Sequence, residues 1–142
     1  MTDLLLTTLR EFARTFTVHS ESVMFDESLQ KQTMQQIYDT SCISDGQVSM
    51  IAVTRHQYDV TEFPKYVEYI KNTLQISTIY YGLWTGGGKV EYDVLYVVPT
   101  DDYNIIQKHL NAHNFLNDSI SQRMALVISS DGSTKIIENS SK

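Results

Sequence analysis

The order of secondary-structure signals between Gln47 and Ser129 constrains the fold more than any other feature of the chain. This stretch reads as strand, helix, strand, strand, helix, strand. At its centre two apolar strands flank Gly86, Gly87 and Gly88, which can reverse the chain because glycine accepts a positive φ at little steric cost. The order βαββαβ is that of the split-βαβ plan. We therefore predict an α+β fold with a four-stranded antiparallel ferredoxin-like sheet and two helices on one face.

Two further helices are predicted ahead of this sheet. The first has an apolar stripe at helical spacing, formed by Leu5, Leu9, Phe12 and Phe16. The second runs from Asp26 to Thr40 and has acidic residues at its N-terminal end, where the helix dipole favours them. Between the two, Val18 to Phe25 is either a linker or a short strand.

Length and composition indicate one domain. The chain has 142 residues, 42% of them hydrophobic, with nine Tyr and five Phe, which is enough for a packed core. We predict a single domain over 1–142, with an N-terminal helical extension over 1–46, the ferredoxin-like core over 47–129 and a frayed polar tail over 139–142. The segment Thr134 to Glu138 is compatible with a short edge strand.

The charge pattern argues against nucleic acid as a partner. The formal net charge is −6 and the eleven basic residues are scattered, whereas nucleic-acid binders need a clustered basic surface. An RNA-binding sheet of this topology would show aromatic rings on its open face. The corresponding strand here has Glu91 and Asp93 instead, so we predict no nucleic-acid partner.

Membrane and disulfide chemistry are also disfavoured. No stretch approaches the roughly 18 apolar residues of a membrane span, and the N-terminus lacks the basic start of a signal peptide. Cys42 is the only cysteine, so no disulfide within the chain and no cysteine-based zinc site can form. A reduced, intracellular setting fits a chain of this kind.

The predicted sheet has apolar residues on both faces. In the strand from Lys89 to Val98, one face carries Tyr92, Val94 and Tyr96, and the other is polar at one end and apolar at the other. A sheet of this kind needs cover on both faces. The N-terminal helices or a second copy could supply it. We predict a homodimer in which the second face takes part.

Two pairs of titratable residues are candidates for chemistry. His109 and His113 have the H-x-x-x-H spacing that directs two imidazoles the same way. A third metal ligand is missing from the pattern, so a solvated or interface pair is favoured and we predict no metal. Glu91 and Asp93, at i and i+2 on a strand, could be a catalytic or ligand-binding carboxylate pair. Exposed strand charges of this kind are also common where a sheet must avoid unwanted pairing.

Two further residues complete the candidate ligand site. Trp84 lies beside the predicted hairpin and could line a small pocket. His56 follows the first core strand, at a strand end where functional loops are common. The run from Gly86 to Lys89 lacks the spacing of a phosphate loop because Val90 follows the lysine. With no cofactor fingerprint in the chain, we predict no cofactor.

The C-terminal half resembles a known group of proteins. The run YYGLWTGGGKVEYDVLYVVPTDDYNIIQKHLNAHNFLN and the later QRMALVIS contain a G-x-W turn, a K-V-x-Y-D-V strand and an H-N-x-x-N helix end. Over Tyr80 to Ile128 the chain resembles a small family of uncharacterised proteins encoded by marine cyanophages. The resemblance implies a viral or marine source and the cytoplasm of an infected host cell. It implies no activity and no site residue.

Two functions are compatible with these features. The leading one is a self-associating module that binds a protein or a small ligand without catalysis, because the chain lacks a paired nucleophile and base, a metal set and a basic patch. The alternative is a small dimeric α+β-barrel-type enzyme with a pocket between sheet and helices. In that enzyme His56, Glu91, Asp93 or His109 would serve as acid/base residues.

Overall fold

An antiparallel sheet lies at the centre of the protein in a computed structural model that describes residues 7, 11, 21–41, 46–56, 63–86, 89–111 and 124–140. The strands are β1 (Glu21–Phe25), β2 (Lys31–Gln32), β3 (Val48–His56), β4 (Ile79–Gly86), β5 (Lys89–Val98), β6 (Met124–Ile128) and β7 (Thr134–Glu138). The helices are α1 (Met34–Ser41), α2 (Phe63–Glu68), which continues as a π-helix over Tyr69–Thr73, and α3 (Tyr103–Asn111).

The strands of the sheet lie in the order β2-β1-β4-β5-β3-β6-β7. The central strand β5 pairs with β4 from Lys89 to Tyr96, and with β3 from Tyr92 to Val98. The β3–β5 register shifts between Ala52 and Thr54, and an irregularity of this kind bends a strand and increases its twist. The sheet is curled into a half-barrel.

The predicted four-stranded ferredoxin-like sheet with two N-terminal helices is wrong. The segments expected as its four strands are β3 to β6, and they are neighbours in the middle of a sheet that has seven strands among the described residues. β1 pairs with β4 along its whole length, and β7 pairs with β6. Strands with an unpaired edge expose backbone donors and acceptors. Segments on either side of the predicted core supply the missing partners and widen the sheet.

The second predicted N-terminal helix, from Asp26 to Thr40, is helical only from Met34 onward. At its start the Asp26 side chain accepts hydrogen bonds from the backbone N–H groups of Ser28 and Gln30, both at 2.9 Å. An aspartate that bonds the nearby backbone in this way competes with helix formation, so this part of the chain turns and forms β2. Of the first predicted helix only Thr7 and Glu11 lie within the described residues.

Each face of the sheet carries its own apolar cluster. Face 1, which includes Val94 and Tyr96 of β5, packs against α2, its π-helical continuation and α3. Face 2, which includes Leu95 and Val97, packs against Ile37 of α1. The helix α1 therefore covers part of face 2, the second apolar face that the sequence analysis expected to be covered. The homodimer stays a prediction, but this apolar cluster no longer requires a second copy.

We expect the truncation Phe25→Ala to lower the free energy of unfolding by about 3–5 kcal/mol, because it leaves a cavity where a fully buried ring of β1 packs on face 1. Denaturant unfolding measures this loss. A matched control is Ile105→Ala, since Ile105 is 42% exposed on α3 and should cost no more than about 0.5 kcal/mol. Equally small losses in both variants would mean that the segment before Asp26 is only a linker.

Candidate functional site

Strand register places three of the sequence-predicted site residues on face 2. Residues directly opposite each other in an antiparallel pair share a face. Trp84 lies opposite Glu91, and Asp93 is two positions further along the same strand. Arg55 lies opposite Asp93 on β3, so a basic position joins the two acidic ones. The positions of Glu91, Asp93 and Trp84 are thus neighbours on face 2.

The predicted histidines are separated from these residues by the sheet. His56 lies opposite Tyr92, which places it on face 1. His109 lies in α3 and contacts Tyr96, also on face 1. His113 is outside the described residues. The alternative enzyme needs two of its four candidate acid/base residues in one pocket. The register puts the histidine positions and the carboxylate positions on opposite faces, so a pair of one histidine and one carboxylate is excluded.

Asp93 belongs to the packed part of face 2. Its side-chain atom Oδ1 is fully buried. Opposite it on β4 is Gly82, and a Cβ there would lie 2.8 Å from Leu95 Cδ1 and 3.2 Å from Met24 Sδ. The ends of Leu95 and Met24 therefore fill the space above this glycine. The carboxyl group stands beside an apolar cluster and is less accessible than an acid on the open surface.

His109 is hydrogen-bonded to a tyrosine of the sheet. The Tyr96 hydroxyl lies 2.7 Å from His109 Nδ1, and the two rings meet edge to face with centroids 5.5 Å apart. Tyr96 is fully buried and His109 is half-buried. The helix that carries the histidine begins after Asp102, whose Oδ1 accepts hydrogen bonds from the backbone N–H groups of Asn104 and Ile105.

Burial determines the protonation state of both Tyr96 and His109. Burial, and secondarily the nearby Tyr69, raise the pKa of Tyr96, so its hydroxyl keeps its proton. Burial lowers the pKa of His109, so its imidazole stays neutral near pH 7. The neutral phenol and the neutral imidazole then share a single hydrogen bond between the hydroxyl and Nδ1. This arrangement anchors α3 to β5.

Sequence reasoning missed a cluster of amides where α3 meets the end of β7. Gln107 Nε2 donates to the Glu138 carbonyl at 2.7 Å, and Gln107 Oε1 accepts from the Ser140 N–H at 2.9 Å. Asn111 Nδ2 donates to the Gln107 carbonyl at 2.9 Å and Asn139 Nδ2 to Asn111 Oδ1 at 3.0 Å. The only signal in the sequence is a glutamine within the apolar stripe of the helix, beside Ile106 and Leu110.

A second feature is the accessible edge of β7, the segment for which the sequence allowed a short edge strand. The hairpin from β6 to β7 closes with a hydrogen bond from the Ser129 N–H to the Ser133 carbonyl at 2.9 Å. Hydrogen-bonded and non-hydrogen-bonded pairs alternate along an antiparallel ladder. Lys135 and Ile137 therefore direct their backbone groups toward β6. Thr134 and Ile136 direct theirs away from the sheet, and β7 is its last strand among the described residues.

Two searches of the described residues bear on the remaining predictions. No three His, Cys, Asp or Glu side chains come together there as a set of metal ligands. Because His113 lies outside those residues, the absence of a metal site stays a prediction. Within the same part of the chain, no helix is both long and apolar enough to cross a membrane.

Comparisons of the chain with protein-family models, with curated proteins and with solved structures found no match. The resemblance to cyanophage proteins therefore stays a prediction. A function has to be argued from the geometry of the described residues alone.

We expect His109 to make the stability of the protein depend on pH. Its pKa lies below the usual 6.5 in the folded state, so below about pH 6.5 the unfolded chain binds a proton that the folded protein excludes. The free energy of unfolding should fall as the pH is lowered through this value. Denaturant unfolding of the protein and of His109→Gln, across pH 5 to 8, measures the difference.

The variant provides the control because every other titrating group is shared between the two proteins. The difference in unfolding free energy between them should be constant above about pH 7 and should shrink or reverse below about pH 6. A difference that grows as the pH falls would mean that the folded protein favours the protonated imidazole, which would contradict the arrangement with Tyr96.

Proposed function

We propose that the protein is a non-catalytic protein-binding module that accepts an extended segment of a partner protein along β7. The observation that carries the proposal is the edge of this strand, where Ile136 is 57% exposed and directs its backbone N–H and C=O away from the sheet. Addition of a strand to such an edge is a common mode of peptide recognition, in which the backbone gives affinity and alternate side chains give specificity.

The side chains of β7 define what an antiparallel partner segment should contain. Ile136 lies on face 2, beside Leu126 of β6, and offers an apolar contact. Lys135 is exposed and lies on face 1. Cross-strand neighbours interact most favourably as apolar pairs and as pairs of opposite charge. The partner segment is therefore one with an apolar residue opposite Ile136 and an acidic residue opposite Lys135.

The alternative enzyme is less well supported by the arrangement of its candidate residues. The positions of Glu91 and Asp93 lie on face 2, whereas those of His56 and His109 lie on face 1 or against it. A histidine and a carboxylate on opposite faces cannot act on one substrate. The carboxylate pair that remains on face 2 includes Asp93, whose Oδ1 is buried. Self-association is a separate property of the proposed module, and sedimentation over a wide range of protein concentration measures it.

The test is selection from a displayed library of short random peptides, with binding of the enriched peptides then followed by titration. The protein should enrich peptides in which an acidic residue adjoins an apolar one. The variant Lys135→Glu should reverse the charge preference from acidic to basic, because the cross-strand neighbour of the partner's charged residue has changed sign.

A second variant measures the apolar contact. Ile136→Asp should weaken binding of the enriched peptide roughly tenfold or more, since burial of an isoleucine contributes about 1.5–3 kcal/mol. The matched control is Ile105→Asp, which introduces the same charge at an exposed isoleucine of α3 and should bind like the unmodified protein. Peptides that bind equally well to all these variants, or no enrichment at all, would contradict strand addition at β7.

A further inference from the structure

We infer that the side-chain amide of Gln107 caps the edge of β7 beyond Glu138, and that this cap prevents β7 from pairing with a second copy of the chain. The inference rests on the proposed function only in that both concern the outward edge of β7. It assigns Gln107 a role in partner selection. The edge stays open at Thr134 and Ile136, where a short segment can pair, and is closed at Glu138, which the longer ladder between two copies would need.

The contacts of Gln107 are those that a neighbouring strand would make. Residues of even number in β7 direct their backbone away from β6, and in this series Glu138 and Ser140 follow Ile136. Gln107 Nε2 donates to the Glu138 carbonyl at 2.7 Å, and Gln107 Oε1 accepts from the Ser140 N–H at 2.9 Å. One amide thus satisfies two successive outward backbone groups, a carbonyl and an N–H, that an added strand would otherwise bind.

The cap is held in place by the residues around it. Gln107 is only 9% exposed. Its own carbonyl accepts a hydrogen bond from Asn111 Nδ2, and Asn111 Oδ1 in turn accepts one from Asn139, a residue 4% exposed. The Ser140 hydroxyl lies 3.3 Å from Gln107 Oε1 as a further donor. Buried amides that satisfy one another are rigid, so an approaching strand does not find this part of the edge open.

Several antiparallel registers could join β7 to β7 of a second copy with each face of the sheet continued. In the first, Ile136 lies opposite Ile136 of the second copy and Thr134 lies opposite Glu138, so all five residues of β7 are paired. A second register, centred on Lys135, and a third, centred on Ile137, pair only three of the five. The first register buries the exposed isoleucines against each other, but the second copy must approach the part of the edge that Gln107 occupies. In the second register Lys135 lies opposite Lys135, and like charges directly opposite each other destabilise a ladder.

The first register is therefore the one that loss of the cap should permit. We expect Gln107→Ala to form a concentration-dependent dimer in which Ile136 faces Ile136. To read this register, Ile136→Cys is introduced with Cys42→Ser, which removes the only native thiol. In a hydrogen-bonded antiparallel pair the two Cα atoms lie about 5.5 Å apart, so a short bifunctional maleimide should link the two copies.

The expected result is a cross-link between two copies when Gln107→Ala is present and no cross-link when Gln107 is retained. Lys135→Cys serves as the register control. In the expected register this residue lies opposite Ile137 of the second copy and not opposite residue 135, so it should give less cross-link than Ile136→Cys. Ile105→Ala is the structural control. It alters an exposed residue of the same helix and leaves both Gln107 and the amides around it unchanged, so it should not produce the cross-link.

Gln107→Glu keeps the inference testable if the alanine variant does not fold. Its carboxylate can still accept from the Ser140 N–H but cannot donate to the Glu138 carbonyl, so it should also raise the cross-linked fraction above that of the unmodified cap. Cross-linking through Ile136→Cys with Gln107 intact would overturn the inference. Folded Gln107 variants that give no more cross-link than the parent would overturn it as well.

These outcomes are distinct from those of the proposed function. Failure to bind peptides, together with a dimer in Gln107→Ala, would remove the protein-binding proposal and leave the cap intact. Peptide binding with no effect of the Gln107 variants on cross-linking would remove the proposed role of the cap and leave the protein-binding proposal intact.

Discussion

The need to cover a sheet that is apolar on both faces determines most of this structure. The central strand β5 contributes Val94 and Tyr96 to one cluster and Leu95 to the other. Neither face can be left to solvent, because together they contain most of the apolar surface that folding removes from water. The helices α2 and α3 cover face 1, and α1 covers part of face 2. Once the faces are covered in this way, the edges are what the sheet still offers to another molecule.

The two edges formed by the described strands differ in how much of the backbone they offer. At one side β2 has only two residues, and a short edge strand is a poor template for pairing. At the other side β7 has five residues, of which Thr134 and Ile136 are open and Glu138 is occupied by Gln107. The helix that packs on face 1 thus also controls the length of the accessible edge. A single polar residue in its apolar stripe connects the packing of the core to the proposed binding surface.

The sequence predicted the parts of the fold that depend on local patterns. The four central strands and the glycine hairpin follow from alternation and turn residues. The width of the sheet depends on pairing between distant segments, such as Phe25 with Tyr81, and five-residue strands carry too little pattern to reveal it. The role of Asp26 as a turn former, and not a helix start, depends likewise on hydrogen bonds that compete with the helix.

The candidate site was predictable only in part for the same reason. Alternation along β5 placed Glu91 and Asp93 on one face, and the register adds Trp84 to it. The spacing of His109 and His113 indicated that the two imidazoles point the same way. The hydrogen-bond partner of His109, however, is Tyr96 on another element of the chain. The contacts of Gln107 join α3 to residues some thirty positions later, and no local pattern records them.

Amide hydrogen exchange along β7, resolved residue by residue by NMR, tests the central claim most directly. The account predicts slow exchange at Lys135 and Ile137, whose N–H groups point toward β6, and fast exchange at Ile136, whose N–H points away from the sheet. It also predicts that the Ser140 N–H is protected by Gln107 and loses this protection in Gln107→Ala. Slow exchange at Ile136 in the free protein, or a Ser140 N–H that exchanges as fast in the presence of Gln107 as in its absence, would contradict the account.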